Sequence, residues 1–252
     1  MDKIGVFNNT SDVLPKITVI TVVFNGKDTI EETILSVINQ TYPNIEYIII
    51  DGESTDGTVD IIKKYQDRIA YWVSEPDKGI YDAMNKGIEK ATGELIGIIN
   101  SDDWYELNCC EIIHQHYSVQ KNVVLYGLIR NIIQPNVFDI YSCSPDYIYK
   151  KMPPHPTVFI PKKFYNIYGY FDTSYKSCAD YDLLLRLKKN SVTFCMIEKV
   201  LANFRFGKGC SSSFTAQKEA FNMRYKHGMI SRREKLLKTV GLFFIIKMRY
   251  LL

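Results

Sequence analysis

The chain has 252 residues, 46% of them hydrophobic and 23% charged, with a formal net charge of +3. That is enough apolar material for a sizeable core; it excludes a disordered chain and leaves no broad basic field for nucleic acid. None of the six cysteines forms a C-x-x-C pair or joins a histidine at zinc-ligand spacing, so no zinc module is expected and the thiols are read as reduced.

Residues 1–15 are polar and read as a loose tail. They lack a basic segment followed by an apolar run, so no signal peptide is expected and the location is read as cytoplasmic. Ile17 to Phe24, "ITVITVVF", is β-branched and almost wholly apolar, as a strand buried on both faces is. Lys27 to Gln40 carries Ile30, Ile34, Val37 and Ile38 at helical spacing and is closed by Thr41-Tyr42-Pro43-Asn44. A second strand follows over Glu46 to Asp51, a second helix over Thr58 to Gln66 and a third strand over Ile69 to Ser74. Ile80 to Thr92 is a third helix, with Ala83, Met84, Gly87, Ile88 and Ala91 on one face, and Leu95 to Asn100 is a fourth strand. Beyond Asp103 the periodicity is less regular. Strands are predicted over Val123 to Leu128, Thr157 to Ile160 and Val192 to Ile197, and helices over Tyr181 to Lys189 and Thr215 to His227. His114 and His116 fall on a further helix and are read as surface residues.

Strand alternating with helix predicts an α/β fold with a mostly parallel sheet flanked by helices. Ligands bind such sheets beyond the C-terminal strand ends. The polar residues sit there: Asn25 after the first strand, Asp51, Gly52, Ser54 and Asp56 after the second, Glu75, Asp77 and Lys78 after the third, Asp102 and Asp103 after the fourth. No linker is visible, so 16–228 is read as one domain, with halves 16–104 and 105–228, followed by a basic helix over 229–252. Its longest uncharged run, Thr239 to Ile246, is far short of the ~20 residues a spanning helix needs. Arg232, Arg233, Lys235, Lys238, Lys247 and Arg249 interleave with Leu, Phe and Ile, which suits an amphipathic helix lying on an anionic leaflet or packing on protein.

Three stretches carry candidate chemistry. In "LIGIINSDDW" the adjacent Asp102 and Asp103 would repel unless solvated as a helix-capping turn or bridged by a hard divalent cation, Mg²⁺ or Mn²⁺, together with substrate phosphates. In "IIIDGESTDGTVDII" Asp51 can accept from a base N–H, while Asp56 or Thr58 caps the following helix. The G-x-G-x-x-G dinucleotide fingerprint is absent. "PDKGIYDAMNKGI" adds Lys78, a substrate contact or a surface charge, with Asp82 and Asn85 on one polar helix face.

The blocks "ITVITVVFNGKDTIEETILSVINQTYPNIEYIIIDGESTDGT", "EPDKGIYDAMNKGIEKATGELIGIINSDDWY" and "CADYDLLLRL" resemble the family 2 glycosyltransferases of GT-A fold, in particular bacterial enzymes of exopolysaccharide, capsule or O-antigen assembly. The resemblance covers about Lys16 to Phe206. It implies a Rossmann-like sheet with a smaller acceptor-side extension, a nucleotide-sugar donor (UDP ahead of GDP), a divalent cation (Mn²⁺ or Mg²⁺) and transfer with inversion. The implied acceptor is a glycan or a lipid-linked oligosaccharide at the inner membrane surface. By position, Val22 and Phe24 flank the nucleobase, Asp51 binds it, and Asn25, Lys78 and Asp82 line the nucleotide-sugar pocket. Ser101-Asp102-Asp103 stands at the D-x-D signature with Ser in place of its first Asp. That leaves Asp103 as the expected metal ligand, with Asp102 reaching the ribose or sugar. Asp180 matches the catalytic base, although the usual preceding Glu is Ala179, and Asp182 is its rival. The alternative is that one of them merely caps the helix. His155 is placed on the acceptor side, or is simply held between Pro154 and Pro156. The loop Phe204 to Ser213, with Lys208, would close over the diphosphate or be an ordinary loop. A nucleotidyltransferase would want a glycine- and base-rich loop after the first strand, where "FNGKDTIEET" has one Gly and one Lys. An inactive binding module would lack the base or the metal carboxylate.

Overall fold

The computed structural model describes residues 14–205 and 214–249. Most of the tail, the loop from Gly207 to Ser213 with Lys208, and Cys210 lie outside the described residues. The first half runs β1 (Ile17–Val23), α1 (Ile30–Ile38), β2 (Ile45–Asp51), α2 (Thr58–Lys64), β3 (Tyr71–Ser74), α3 (Ile80–Lys90) and β4 (Leu95–Asn100). The second half adds β5 (Trp104–Tyr105), α4 (Cys109–Val119), β6 (Val123–Gln134), β7 (Val137–Tyr141), β8 (Phe159–Pro161), α5 (Lys162–Tyr168), α6 (Ala179–Lys189), β9 (Thr193–Arg205), α7 (Phe214–Lys226) and α8 (Arg232–Arg249).

One sheet runs through both halves in the order β3-β2-β1-β4-β8-β6-β9-β5, with β7 paired to β6. β1 lies between β2 and β4 and is parallel to both, so the chain winds outward to β3 and then returns to the other side of β1. Such a reversal opens a crevice at the strand ends. Its floor is set by register: Val22 lies opposite Asn100, and Val23 opposite Asp51.

All seven residues of β1 are buried, because helices cover both faces. Ile20 and Val22 pack with Ala83, Met84 and Ile88 of α3 and with Leu183, Leu184 and Leu187 of α6. Val19 packs on the other side with Ile30, Ile34 and Val37 of α1 and with Cys109, Cys110 and Ile113 of α4. Each such fully buried aliphatic side chain contributes about 1.5–3 kcal/mol. Gly87 lets α3 close on β1, since a Cβ there would lie 2.5 Å from Ile20 Cγ2.

The second half departs from the expected strands. β6 continues past Leu128 to Gln134 and turns through Asn136, at φ 64°, into β7. β9 continues past Ile197 to Arg205, so "ANFRF" begins in a strand. These extensions carry Arg130, Asn131, Glu198 and Lys199, which break the apolar pattern. They are strands because β6 and β9 pair with each other from Val123–Thr193 to Ile132–Arg205. α7 buries Ala216 and Met223, and α8 packs on α7, with Lys235 over the Tyr225 ring at 5.0 Å. α8 leaves Leu236, Leu237 and Val240 exposed. No helix among the described residues is long and apolar enough to cross a membrane.

Candidate active site

A cavity of about 720 Å³ opens at the β1/β4 crevice. The size suits a small-molecule site. The loop after β1 forms one wall: Val22, Phe24 and Asn25 line it, and the Phe24 ring is 66% exposed. Asn25 takes φ 51°, and its loop is tied to the loop after β2. Asn25 N–H donates to Ser54 Oγ (2.7 Å), Thr55 N–H to Asn25 Oδ1 (3.0 Å), Gly26 N–H to Thr58 Oγ1 (2.9 Å) and Lys27 N–H to Asp56 Oδ2 (3.0 Å). The polar residues of "DGESTDGT" are consumed by this bracing. Asp51 shows it best. Its carboxylate is fully buried, accepts from Ser54 N–H and Oγ and from Ser74 Oγ, and does not line the cavity. Asp51 organises the loop that shapes the wall.

Lys78 and Asp82 are also absent from the lining. Lys78 N–H donates to Asp82 Oδ2 at 3.0 Å, and Asp82 lies 3.8 Å from Lys86 Nζ, so this pair fastens the start of α3 and the Lys78 side chain stands in solvent. Asp77, Gly79 and Ile80 face the cavity instead.

After β4, Asn100, Ser101 and Asp102 reach the lining, whereas Asp103 does not. Asp102 is thus the carboxylate that the wall presents, and Asp103 the one behind it. Trp104 and Tyr105 return at once to the sheet by pairing with Asn203 and Ala202, which turns Asp103 inward. Asp103 is fully buried; its Oδ1 accepts from Arg205 N–H at 3.3 Å and its Oδ2 has no partner among the described residues. Burial, reinforced by neighbouring Asp102, pushes its carboxyl up to about 8. The donor the wall presents to a hard divalent cation is Asp102; the orphaned Oδ2 of Asp103 lies buried behind it and would join only by turning toward the cavity. No group of three or more His, Cys, Asp or Glu converges among the described residues, so the remaining ligands would be phosphates and water.

The far wall comes from the second half. Asp180, in the first turn of α6, lines the cavity; its Oδ1 accepts from Tyr81 Oη at 3.0 Å and from Tyr181 N–H at 2.9 Å. Tyr81 belongs to α3, so a helix of the first half fixes this carboxyl. Asp182 faces away and is buried, bonded to Arg186 Nε and His227 Nε2, each at 2.8 Å. Its surroundings are those of a brace between α6 and the end of α7. His155, in a single 3₁₀ turn His155–Thr157, faces the cavity with its Nε2 buried and unpartnered. Burial lowers its pKa against the opposing pull of Asp180, so the ring is neutral near pH 7. Sequence reasoning missed Asn100, Tyr81, Lys176 and Ser177 in the lining. Asn100 could have been flagged from its place at the end of β4; Oδ1 of Asn100 is also buried and unpartnered. The others reach the wall only through tertiary packing.

The model of glycosyl transferase family 2 matches residues 18–173. This chain belongs to that family. Within it, the chain is 33% identical over 139 residues (54% of this chain, 55% of the relative) to the E. coli UDP-Glc:alpha-D-GlcNAc-diphosphoundecaprenol beta-1,3-glucosyltransferase WfaP. The curated relatives first matched are spanned only in part, from 34% to 61% of their length. Among solved structures, S. aureus TarS 1-349 in complex with UDP-GlcNAc superposes with a TM-score of 0.70 at 18% identity, covering 90% of this chain and 71% of that one. Mannosyltransferase PcManGT from Pyrobaculum calidifontis, in complex with GDP-Man and Mn2+, gives 0.66 at 18% identity, covering 86% and 65%. At those identities the likeness is one of fold, and the fold of this family 2 chain is the GT-A architecture expected of it.

Proposed function

We propose that this chain is an inverting, divalent-cation-dependent glycosyltransferase of bacterial surface polysaccharide assembly. It moves a sugar from a nucleotide sugar, UDP-linked ahead of GDP-linked, to a hydroxyl of a glycan or lipid-linked oligosaccharide. The observation that carries this reading is that Asp102, after β4, and Asp180, in the first turn of α6, line one cavity at the β1/β4 crevice.

Inverting transfer is a single in-line displacement. It needs a base for the acceptor hydroxyl and positive charge for the leaving diphosphate. Phe24 and Ile80 offer apolar surface for the nucleobase. Asp102, with Asp103 behind it, would hold the cation, which would supply positive charge to the diphosphate. Asp180 takes the hydroxyl proton at its carboxylate as the new C–O bond forms at the anomeric carbon and the nucleoside diphosphate departs with the electron pair of the broken bond. The Tyr81 hydroxyl holds Oδ1 of Asp180, so Oδ2, with no hydrogen bond among the described residues, is the oxygen turned to this task. Neutral His155 orients the acceptor. α8, with Leu236 and Leu237 exposed beside its basic residues, lies on the inner membrane surface where a lipid-linked acceptor resides.

Calorimetric titration of UDP and GDP, each with and without Mn²⁺, on the wild type and on Asp102→Ala and Asp103→Ala tests the donor site. One nucleotide should bind in a Mn²⁺-dependent way, and each substitution should remove that dependence. A folded wild type that binds neither nucleotide refutes the reading.

A further inference from the structure

Thr33 is buried on the apolar side of α1 with Ile30, Ile34 and Val37, where packing alone would be served by valine. A buried hydroxyl needs a partner, and this one finds it far along the chain. Thr33 Oγ1 donates to the backbone carbonyl of Asp103 at 2.7 Å. The bond is the first of a row. Tyr105 N–H donates to Ser36 Oγ at 3.2 Å, Gln40 Nε2 to the carbonyl of Glu106 at 2.8 Å, and Cys110 N–H to Gln40 Oε1 at 2.9 Å. Thr33, Ser36 and Gln40 recur at helical spacing along one side of α1 and just past its end, and they meet the segment from Asp103 to Cys110 in chain order. β9 pairs with this segment through Trp104–Asn203 and Tyr105–Ala202. Side chains of α1 hold it as well.

Adjacent carboxylates repel, so keeping Asp102 and Asp103 in fixed directions needs an anchor. Their own side chains supply little. Among the described residues no hydrogen bond engages the Asp102 carboxylate, and Asp103 has one, from Arg205 N–H at 3.3 Å. Their directions are therefore set by the backbone that carries them. That backbone is pinned by Asp103 N–H on the Asn100 carbonyl at 3.1 Å and by Thr33 on the Asp103 carbonyl. We propose that Thr33 is a positioning residue for the cation carboxylates: by holding the Asp103 carbonyl it keeps Asp102 toward the cavity and Asp103 behind it, and Ser36 and Gln40 extend that hold along the chain. The role rests on the cation reading of the Asp102 wall. It adds residues of α1 that touch neither substrate nor cation. Groups that orient a metal ligand without binding the metal commonly carry about 10–100-fold of its affinity.

The test counts bound Mn²⁺ from the paramagnetic resonance signal of the free ion, with UDP or GDP, whichever the wild type binds, at saturation. Wild type, Thr33→Val, Thr33→Ser and Thr18→Val are compared, and metal-free nucleotide affinity is measured beside them by calorimetry. Thr18 is the control: it is equally buried, and its hydroxyl donates to Glu46 Oε2 at 2.6 Å at the other end of β1. Thr33→Val should weaken Mn²⁺ binding about tenfold while metal-free nucleotide affinity stays within about twofold. Thr33→Ser should restore most of the loss, and Thr18→Val should cause none. Should Thr33→Val not fold, Ser36→Ala takes its place, with an expected loss of a few-fold. Wild-type Mn²⁺ affinity in the folded α1 variant, an equal loss in Thr18→Val, or no recovery in Thr33→Ser overturns the role. A wild type that binds no Mn²⁺ with either nucleotide refutes the cation reading itself, and the positioning role falls with it.

Discussion

Asp180 and Asp182 lie two residues apart on α6 in opposite surroundings, so exchanging each for asparagine separates chemistry from stability. Asp182 is buried and accepts from Arg186 Nε and His227 Nε2, each at 2.8 Å. A hydrogen bond to a charged group is worth about 1.5–3 kcal/mol, and breaking a buried pair outright costs about 3–5 kcal/mol. Arg186 keeps its bonds to the carbonyls of Gly169 and Tyr170, and asparagine retains one acceptor, so the lower end applies. Asp182→Asn should cost about 2–3 kcal/mol, which for a domain of this size lowers Tm by about 4–12 °C. Below that Tm its nucleotide affinity and transfer rate should stay within a few-fold of wild type. Asp180→Asn should do the opposite. It leaves an acceptor for the Tyr81 hydroxyl, so Tm barely moves, while transfer falls by about 10²–10⁴, the usual worth of a general base. The assay is thermal unfolding alongside initial rates of nucleotide release from the sugar nucleotide selected by calorimetry. An Asp182→Asn protein with native Tm and no transfer, or an Asp180→Asn protein with wild-type transfer, would refute the assignment of base and brace.

Two further outcomes are expected. His155 is held below its ordinary pKa by burial, so between that lowered value and about 6.5 the unfolded chain binds more protons than the folded one. Stability should therefore fall as pH drops through that window and level off once both states are protonated. Denaturant melts at several pH values should show His155→Gln losing that part of the slope; an unchanged slope contradicts the buried neutral ring. Leu236 and Leu237, each 64% exposed on α8, form the apolar part of the proposed membrane face. Leu236→Glu with Leu237→Glu should sharply reduce co-sedimentation with anionic liposomes at unchanged Tm and nucleotide affinity, and undiminished sedimentation would discard α8 as the membrane contact.

The sequence by itself determined the first half of this protein. "ITVITVV" and "LIGIIN" are apolar at every position or nearly so because both faces of β1 and β4 are covered, and the helix between Ile80 and Lys90 keeps its buried residues at helical spacing. Those local patterns place Asn25, Asp77 and Asp102 at one sheet edge without any tertiary information, and the motifs around them carry the family. Which carboxylate of each pair faces the cavity was decided elsewhere. Asp103 is turned inward because Trp104 pairs with Asn203, far along the chain. Asp182 is withdrawn because residues two apart on a helix point to nearly opposite sides, and His227 fixes which side is which. The β6–β7 hairpin and the long β9 were equally hidden: their polar residues read as loop, and only mutual pairing makes them strands. Periodicity reports what a segment buries. The direction in which a single polar side chain points depends on partners that local sequence does not contain.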